Sequence, residues 1–159
     1  MSSNPDATVK ANVISRAEQV LRAVADLRSK DFAGVGVVFY ECLDQLPHLQ
    51  LINGSIKADP GLFADVDLAS ALSSLSAIGS PLHDGFHFVD ASSWHLTHLS
   101  QFISPPIPHN AEQQLHGAGA RFMAALLASL QPGIVCVGLV SMGGEVHLFS
   151  NGNNATQKD

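Results

Sequence analysis

The chain has 159 residues, a formal charge of −6, 46% hydrophobic residues and only 14% charged ones. Those figures suit one globular domain and exclude a binder of nucleic-acid backbone, which would carry a basic face. A small anionic ligand stays open, because backbone N–H groups bind anions without net positive charge.

Residues 1–11 are polar and read as a flexible N-terminus, with no apolar signal core in "MSSNPDATVK". Apolar Val13, Ala17, Val20, Leu21, Val24 and Leu27 follow helical spacing and predict an amphipathic helix over 12–30. "GVGVVFYECL" from Gly34 is β-branched and aromatic, the mark of a buried strand. A turn around Pro47 leads to a second short strand, "LQLING", closed by an Asn53-Gly54 turn. A helix follows over 62–78, with Leu68, Ala69, Leu72, Leu75 and Ile78 on one face and Asp65 or Asp67 near its N-terminus.

Gly79-Ser80-Pro81 stops that helix, and strands are expected over 86–90 and 94–102 around an Ala91-Ser92-Ser93 turn. "SPPIPHN" is a rigid loop. The third helix spans 111–130, with a possible break near Gly117 and Gly119, and Pro132-Gly133 ends it. "IVCVGLVS" and "EVHLFS" form a last hairpin around Met142-Gly143-Gly144, and "NGNNATQKD" is a polar tail. Hairpins thus alternate with helices, which implies an α/β fold with a mixed β-sheet flanked by helices. Cys42 and Cys136 sit in strand-like runs without metal spacing and read as buried free thiols.

"SPLHDGFHF" concentrates the chemistry. Asp84 stands beside Gly85 at the head of an apolar strand, where a carboxylate is costly to desolvate unless something pairs with it. His83 and His87 are four apart. On a strand that spacing separates them by about 13 Å, too far to share an ion. His95 and His98 would face opposite ways and read as surface or hydrogen-bonded rings. Ser141 ends a strand, but no G-x-S-x-G elbow surrounds it. "HGAGARFMAALLASL" places glycines before a helical segment, whose first N–H groups suit an anion. Arg121 falls in the first turn, a place unfavourable for a cation unless an anion is near. A carboxylate for a divalent cation beside a helix start for phosphates would make a nucleotide site.

These residues resemble a known family. "SPLHDGF" is similar to the "TPLHDGA" signature of the diadenylate cyclase domain, the nucleotide-binding domain of the DNA-integrity scanning protein. "LASALSSLSAIG" resembles the helix before that signature, and "GVGVVFYE" the first buried strand. "GARFMAA" lines up with "GTRHRAA", and "VGLVSMGGEVHLFSNG" with "VIVVSEETGxISVAxxG". The resemblance covers residues 12–152, read as one nucleotide-binding domain, with 153–159 as a flexible tail.

The resemblance implies ATP bound between the two motifs, with two facing domains joining their ATP molecules into cyclic di-AMP. Asp84 would take the metal-linked role with Mg²⁺ or Mn²⁺, Gly85 would lie against the nucleotide, and Arg121 would match the first arginine of "TRHR". No organic cofactor is expected. The implied site comprises Leu82, His83, Asp84, Gly85, Phe86, Gly119, Ala120, Arg121 and Ser141. Several positions depart from the family. Ala120 replaces the threonine, Phe122 and Met123 replace the histidine and second arginine, Met142-Gly143-Gly144 replaces "EET", and Phe86 replaces a small alanine. Lost phosphate contacts remove charge stabilisation from phosphoryl transfer. The expectation is a non-catalytic sensor for an adenine nucleotide or cyclic dinucleotide. The alternatives are an active cyclase, in which His83, His87 or His116 compensates, and an assembly module without ligand. A cytoplasmic homo-oligomer is expected, binding neither DNA, RNA nor membrane; no apolar run reaches the roughly 18 residues of a membrane span.

Overall fold

The computed structural model describes residues 5–51, 66–109 and 119–156. The expected Asn53-Gly54 turn, Asp65, the first residues of the second predicted helix, and residues 110–118 with His116 and Gly117 lie outside them. The element order is α1 (Pro5–Leu27), β1 (Val35–Tyr40), β2 (His48–Gln50), α2 (Val66–Leu75), β3 (Phe86–Asp90), β4 (Leu96–Ile103), α3 (Ala120–Ala128), β5 (Ile134–Val140), β6 (Val146–Ser150) and β7 (Asn153–Asn154).

The strands form one mixed sheet in the order β2-β4-β3-β1-β5-β6-β7. β1 lies parallel to β3 and antiparallel to β5, and the other pairs are antiparallel. The order of helices and strands follows the sequence pattern, with one correction. β1 and β2 are not a hairpin, because β2 pairs with β4 at the far edge.

β1 and β5 are covered on both faces, which is why they read as near-continuous apolar runs. Val35, Val37 and Phe39 join the core beneath α1 and α2, with Val13, Ala17, Val20, Leu21, Val24, Leu68 and Leu72. Each such Val, Leu or Phe side chain contributes about 1.5–3 kcal/mol by leaving water. Gly138 lets α1 close on the sheet, since a Cβ there would stand 2.2 Å from Leu21 Cδ1. Val38, Phe86 and Phe88 face the other way, sharing a second core with Val137, Phe149 and Ala125 and Ala128 of α3.

Several boundaries differ from the sequence reading. α1 starts at Pro5 rather than 12, with proline at the first helical position, where its missing N–H costs nothing. It ends at Leu27, and α2 ends at Leu75, which leaves Ile78 exposed outside the helix. Trp94 belongs to the turn before β4, with a left-handed backbone at φ 59°. Part of the expected tail pairs with β6, because Asn151 and Gly152, both at positive φ, form a two-residue hairpin turn. Both cysteines are free, but only Cys136 is buried; Cys42 is exposed in the turn after β1.

Candidate functional site

The heads of β1 and β3 and the end of β5 meet at one end of the sheet. Gly34, the Asp84-Gly85 turn and the Ser141–Glu145 turn gather there, and the start of α3 adds Arg121.

Asp84 overturns the expectation of a buried carboxylate. Its side chain is 74% exposed, so water already solvates it and no bound charge is needed to hold it there. Nε2 of His83 stands 3.5 Å from Asp84 Oδ1. His83 Nδ1 donates to the Ser80 carbonyl at 2.8 Å, so the ring attracts Asp84 only when it carries its second proton. Gly85, at φ +79°, runs against β4, and a Cβ there would stand 2.7 Å from Gln101 O and 2.9 Å from Leu51 Cδ1. Leu51 lies beside Leu49 and Phe102, which are register partners; all three are exposed.

Arg121 lies half-buried above β1. A Cβ on Gly34 would stand 3.3 Å from Arg121 Nη1, so the glycine, at φ +93°, makes room for the guanidinium. Burial pushes the Arg121 pKa down, and the Asp84 charge opposes that shift. The two charges therefore sense each other, although no direct ion pair joins them among the described residues. Gly119 caps α3 without any side-chain hydrogen bond, and both it and Ala120 are exposed.

The remaining predicted site residues have structural partners. Leu82 is buried in the core beneath α1 and α2. Phe86 is buried over Gly36, its register partner, where a Cβ would stand 2.5 Å from the ring. Ser141 braces the β5–β6 turn: its Oγ accepts from Glu145 N–H at 3.0 Å, and its backbone N–H donates to Glu145 O.

The sequence reading did not single out Ser100. Its backbone is left-handed at φ 52°, and it is fully buried. Its Oγ donates to the Asp84 carbonyl at 2.7 Å, its N–H donates to His87 Nδ1 at 3.0 Å, and its carbonyl accepts from Leu51 N–H. One irregular residue of β4 thus holds the Asp84-Gly85 turn. It carries no distinct sequence signal, being one of four polar residues in the strand LTHLSQFI. Because His87 Nδ1 accepts, its proton sits on Nε2, which is buried with no partner among the described residues. Burial, then the Arg121 charge, pushes the His87 pKa down to about 4. The ring is fully buried and neutral, not a ligand paired with His83.

No group of three or more His, Cys, Asp or Glu side chains suited to a metal occurs among the described residues. Mg²⁺ needs less than that: it keeps several waters and takes one or two carboxylates plus ligand phosphates. The exposed Asp84 carboxylate is an oxygen donor of that kind.

No protein-family model matches the chain, and no curated protein does. Solved structures do. A hypothetical membrane spanning protein from Bacillus cereus superposes with a TM-score of 0.55 at 19% identity, over 88% of this chain and 60% of the other. The chain thus spans about three fifths of that protein's length. DacA from Staphylococcus aureus, a diadenylate cyclase, superposes with a TM-score of 0.52 at 13% identity, over 90% of this chain and 84% of the other. At those identities the likeness is one of fold: the chain has a fold similar to that of a diadenylate cyclase domain. No helix among the described residues is long and apolar enough to cross a membrane.

Proposed function

We propose that this chain is a nucleotide-binding domain of the diadenylate cyclase type that binds an adenine nucleotide or cyclic dinucleotide without turning it over. One observation carries the reading. Arg121, a half-buried guanidinium with no ion pair among the described residues, lies at the same end of the sheet as the exposed Asp84 carboxylate. A buried cation without a partner favours an anion. Phosphates on Arg121 and the uncapped start of α3, with Mg²⁺ or Mn²⁺ between them and Asp84, satisfy both charges. Gly85 holds the turn that carries Asp84 close against β4. The purine lies away from Gly36, because the Phe86 ring covers it.

The absence of turnover rests on the substituted positions. Phosphoryl transfer needs charge stabilisation around the phosphoryl oxygens. Ala120, Phe122 and Met123 supply no polar side chain there, and the β5–β6 turn presents Met142, Gly143 and Gly144. His87, buried in the sheet core, does not compensate.

The test is one incubation with ATP or cyclic di-AMP and Mn²⁺, read by thermal unfolding and by mass. The expected result is a rise in melting temperature without cyclic di-AMP formed from ATP. At ligand 100 times above Kd the stabilisation is about 2.7 kcal/mol. Product that disappears in Asp84→Asn would make the chain an active cyclase. No thermal shift with any adenine nucleotide or cyclic dinucleotide overturns nucleotide binding and leaves the assembly module.

A further inference from the structure

A second arginine reaches the same turn from the other face of the sheet. Arg28 follows the end of α1, and a Cβ on Gly144 would stand 2.7 Å from its Cζ and Nη1. Gly144, at φ +90°, is therefore a cradle for one guanidinium, as Gly34 is for the other. Both cradles touch the Ser141–Glu145 turn. The Cβ position at Gly34 lies 3.5 Å from Met142 N, and Gly144 is two residues further on. At most about 7 Å of extended chain separates those two positions.

Arg28 has a structural task, since its Nη1 donates to Ala25 O at 2.6 Å near the end of α1. That bond uses one of five N–H donors. Among the described residues Arg28 has no carboxylate partner, and Arg121 has none in contact. Two guanidinium groups without a carboxylate in contact thus flank one hairpin turn, Arg121 half-buried and Arg28 exposed, in a chain of net charge −6. The carboxylate of that turn, Glu145, stands 3.8 Å from His147 Nε2 and pairs with neither arginine among the described residues, and Met142, Gly143 and Gly144 add no charge.

We infer that Arg28 and Arg121 together grip an extended phosphate chain laid along the β5–β6 turn, with Arg28 the cation that separates a triphosphate from a monophosphate. A linear polyphosphate carries several charges over a few ångströms and can meet both groups, whereas a single phosphate meets one. The inference rests on the nucleotide reading for the identity of the ligand, but not for its phosphate chemistry. It supplies, from the segment after α1, a second positive charge to a site whose α3 offers Arg121 alone.

Calorimetry with ATP, AMP and inorganic tripolyphosphate, on the wild type and on Arg28→Gln and Arg28→Lys, tests it. Arg28→Gln is expected to weaken ATP and tripolyphosphate by about tenfold, the effect of one charge-assisted hydrogen bond. AMP binding stays unchanged, and Arg28→Lys restores part of the loss. The unliganded melting temperature of each variant shows that the fold is intact. Equal tripolyphosphate affinity in wild type and Arg28→Gln overturns the inference and leaves nucleotide binding standing. Wild-type chain that ignores tripolyphosphate also overturns it. Tripolyphosphate binding that depends on Arg28, without binding of either nucleotide, upholds the cation pair and removes the nucleotide reading.

Discussion

On one face of the sheet, α1 and α2 bury Val35, Val37, Phe39 and Val89 under an almost wholly apolar cover. On the other, α3 packs against β5, β1 and β6, while the strip toward β4 and β2 carries Tyr40, His48, Thr97 and His98 around Phe88. Hydrogen bonds fix the polar strip. Gln101 donates its amide to Leu99 O, which leaves its oxygen to accept from His48 Nδ1–H. Thr97 donates to Phe88 O, so it accepts from both Tyr40 O–H and His98 Nδ1–H. Burial, then the neighbouring His48, pushes the His98 pKa down. The covered face holds the fold together, whereas the half-covered face keeps titratable groups in reach of water. The candidate site lies where the two faces end, drawing Arg28 from one and Arg121 from the other.

The strongest way to break this comparison is at Leu21. Its side chain fills the space above Gly138, so Leu21→Ala should cost about 2–5 kcal/mol in denaturant unfolding. A loss below 1 kcal/mol would mean that α1 is not a principal support. The next largest effect concerns pH and His87. Its folded pKa of about 4 lies below the unfolded value of 6.5, so the unfolded chain binds more protons between them. Stability is therefore full above pH 6.5 and falls toward pH 4, by on the order of 3 kcal/mol. In His87→Leu that part of the slope should vanish, although the variant starts lower because Ser100 N–H loses its acceptor. Identical slopes in the two chains would contradict a buried neutral ring. The smallest effect is expected at Asp84. Its exposed carboxylate is dispensable for folding, and Asp84→Asn should shift unfolding by less than about 0.5 kcal/mol. A larger loss would make Asp84 a structural residue rather than one free to meet a ligand.

The element order was legible because periodicity records burial. The spacing of Val13, Ala17, Val20, Leu21 and Val24 is the face that α1 presents to the sheet. The placement of β2 was not, because strand order depends on contacts between distant segments. The Asn151-Gly152 turn carried a hairpin signal, but one lost within a polar run. At the candidate site the two glycine-flanked motifs pointed to the residues that share one end of the sheet. The burial of Asp84 was misjudged, because an apolar strand after a glycine says nothing about the turn before it. Ser100 and Arg28 stayed hidden for a different reason. Each acts through a contact with a residue remote in sequence, Asp84 in one case and Gly144 in the other.

The pairing of Phe86 with Gly36 has a consequence of its own. The ring closes over the peptide of Gly36, in space that a Cβ there would occupy, while it also joins the core with Val38, Val137 and Phe149. Trimming residue 86 to alanine would leave a dry slot with a backbone floor, and empty apolar voids of that kind accept benzene-sized guests. Phe86 is in effect a tethered guest, a permanent lodger whose removal would create a vacancy shaped for an aromatic molecule from solution.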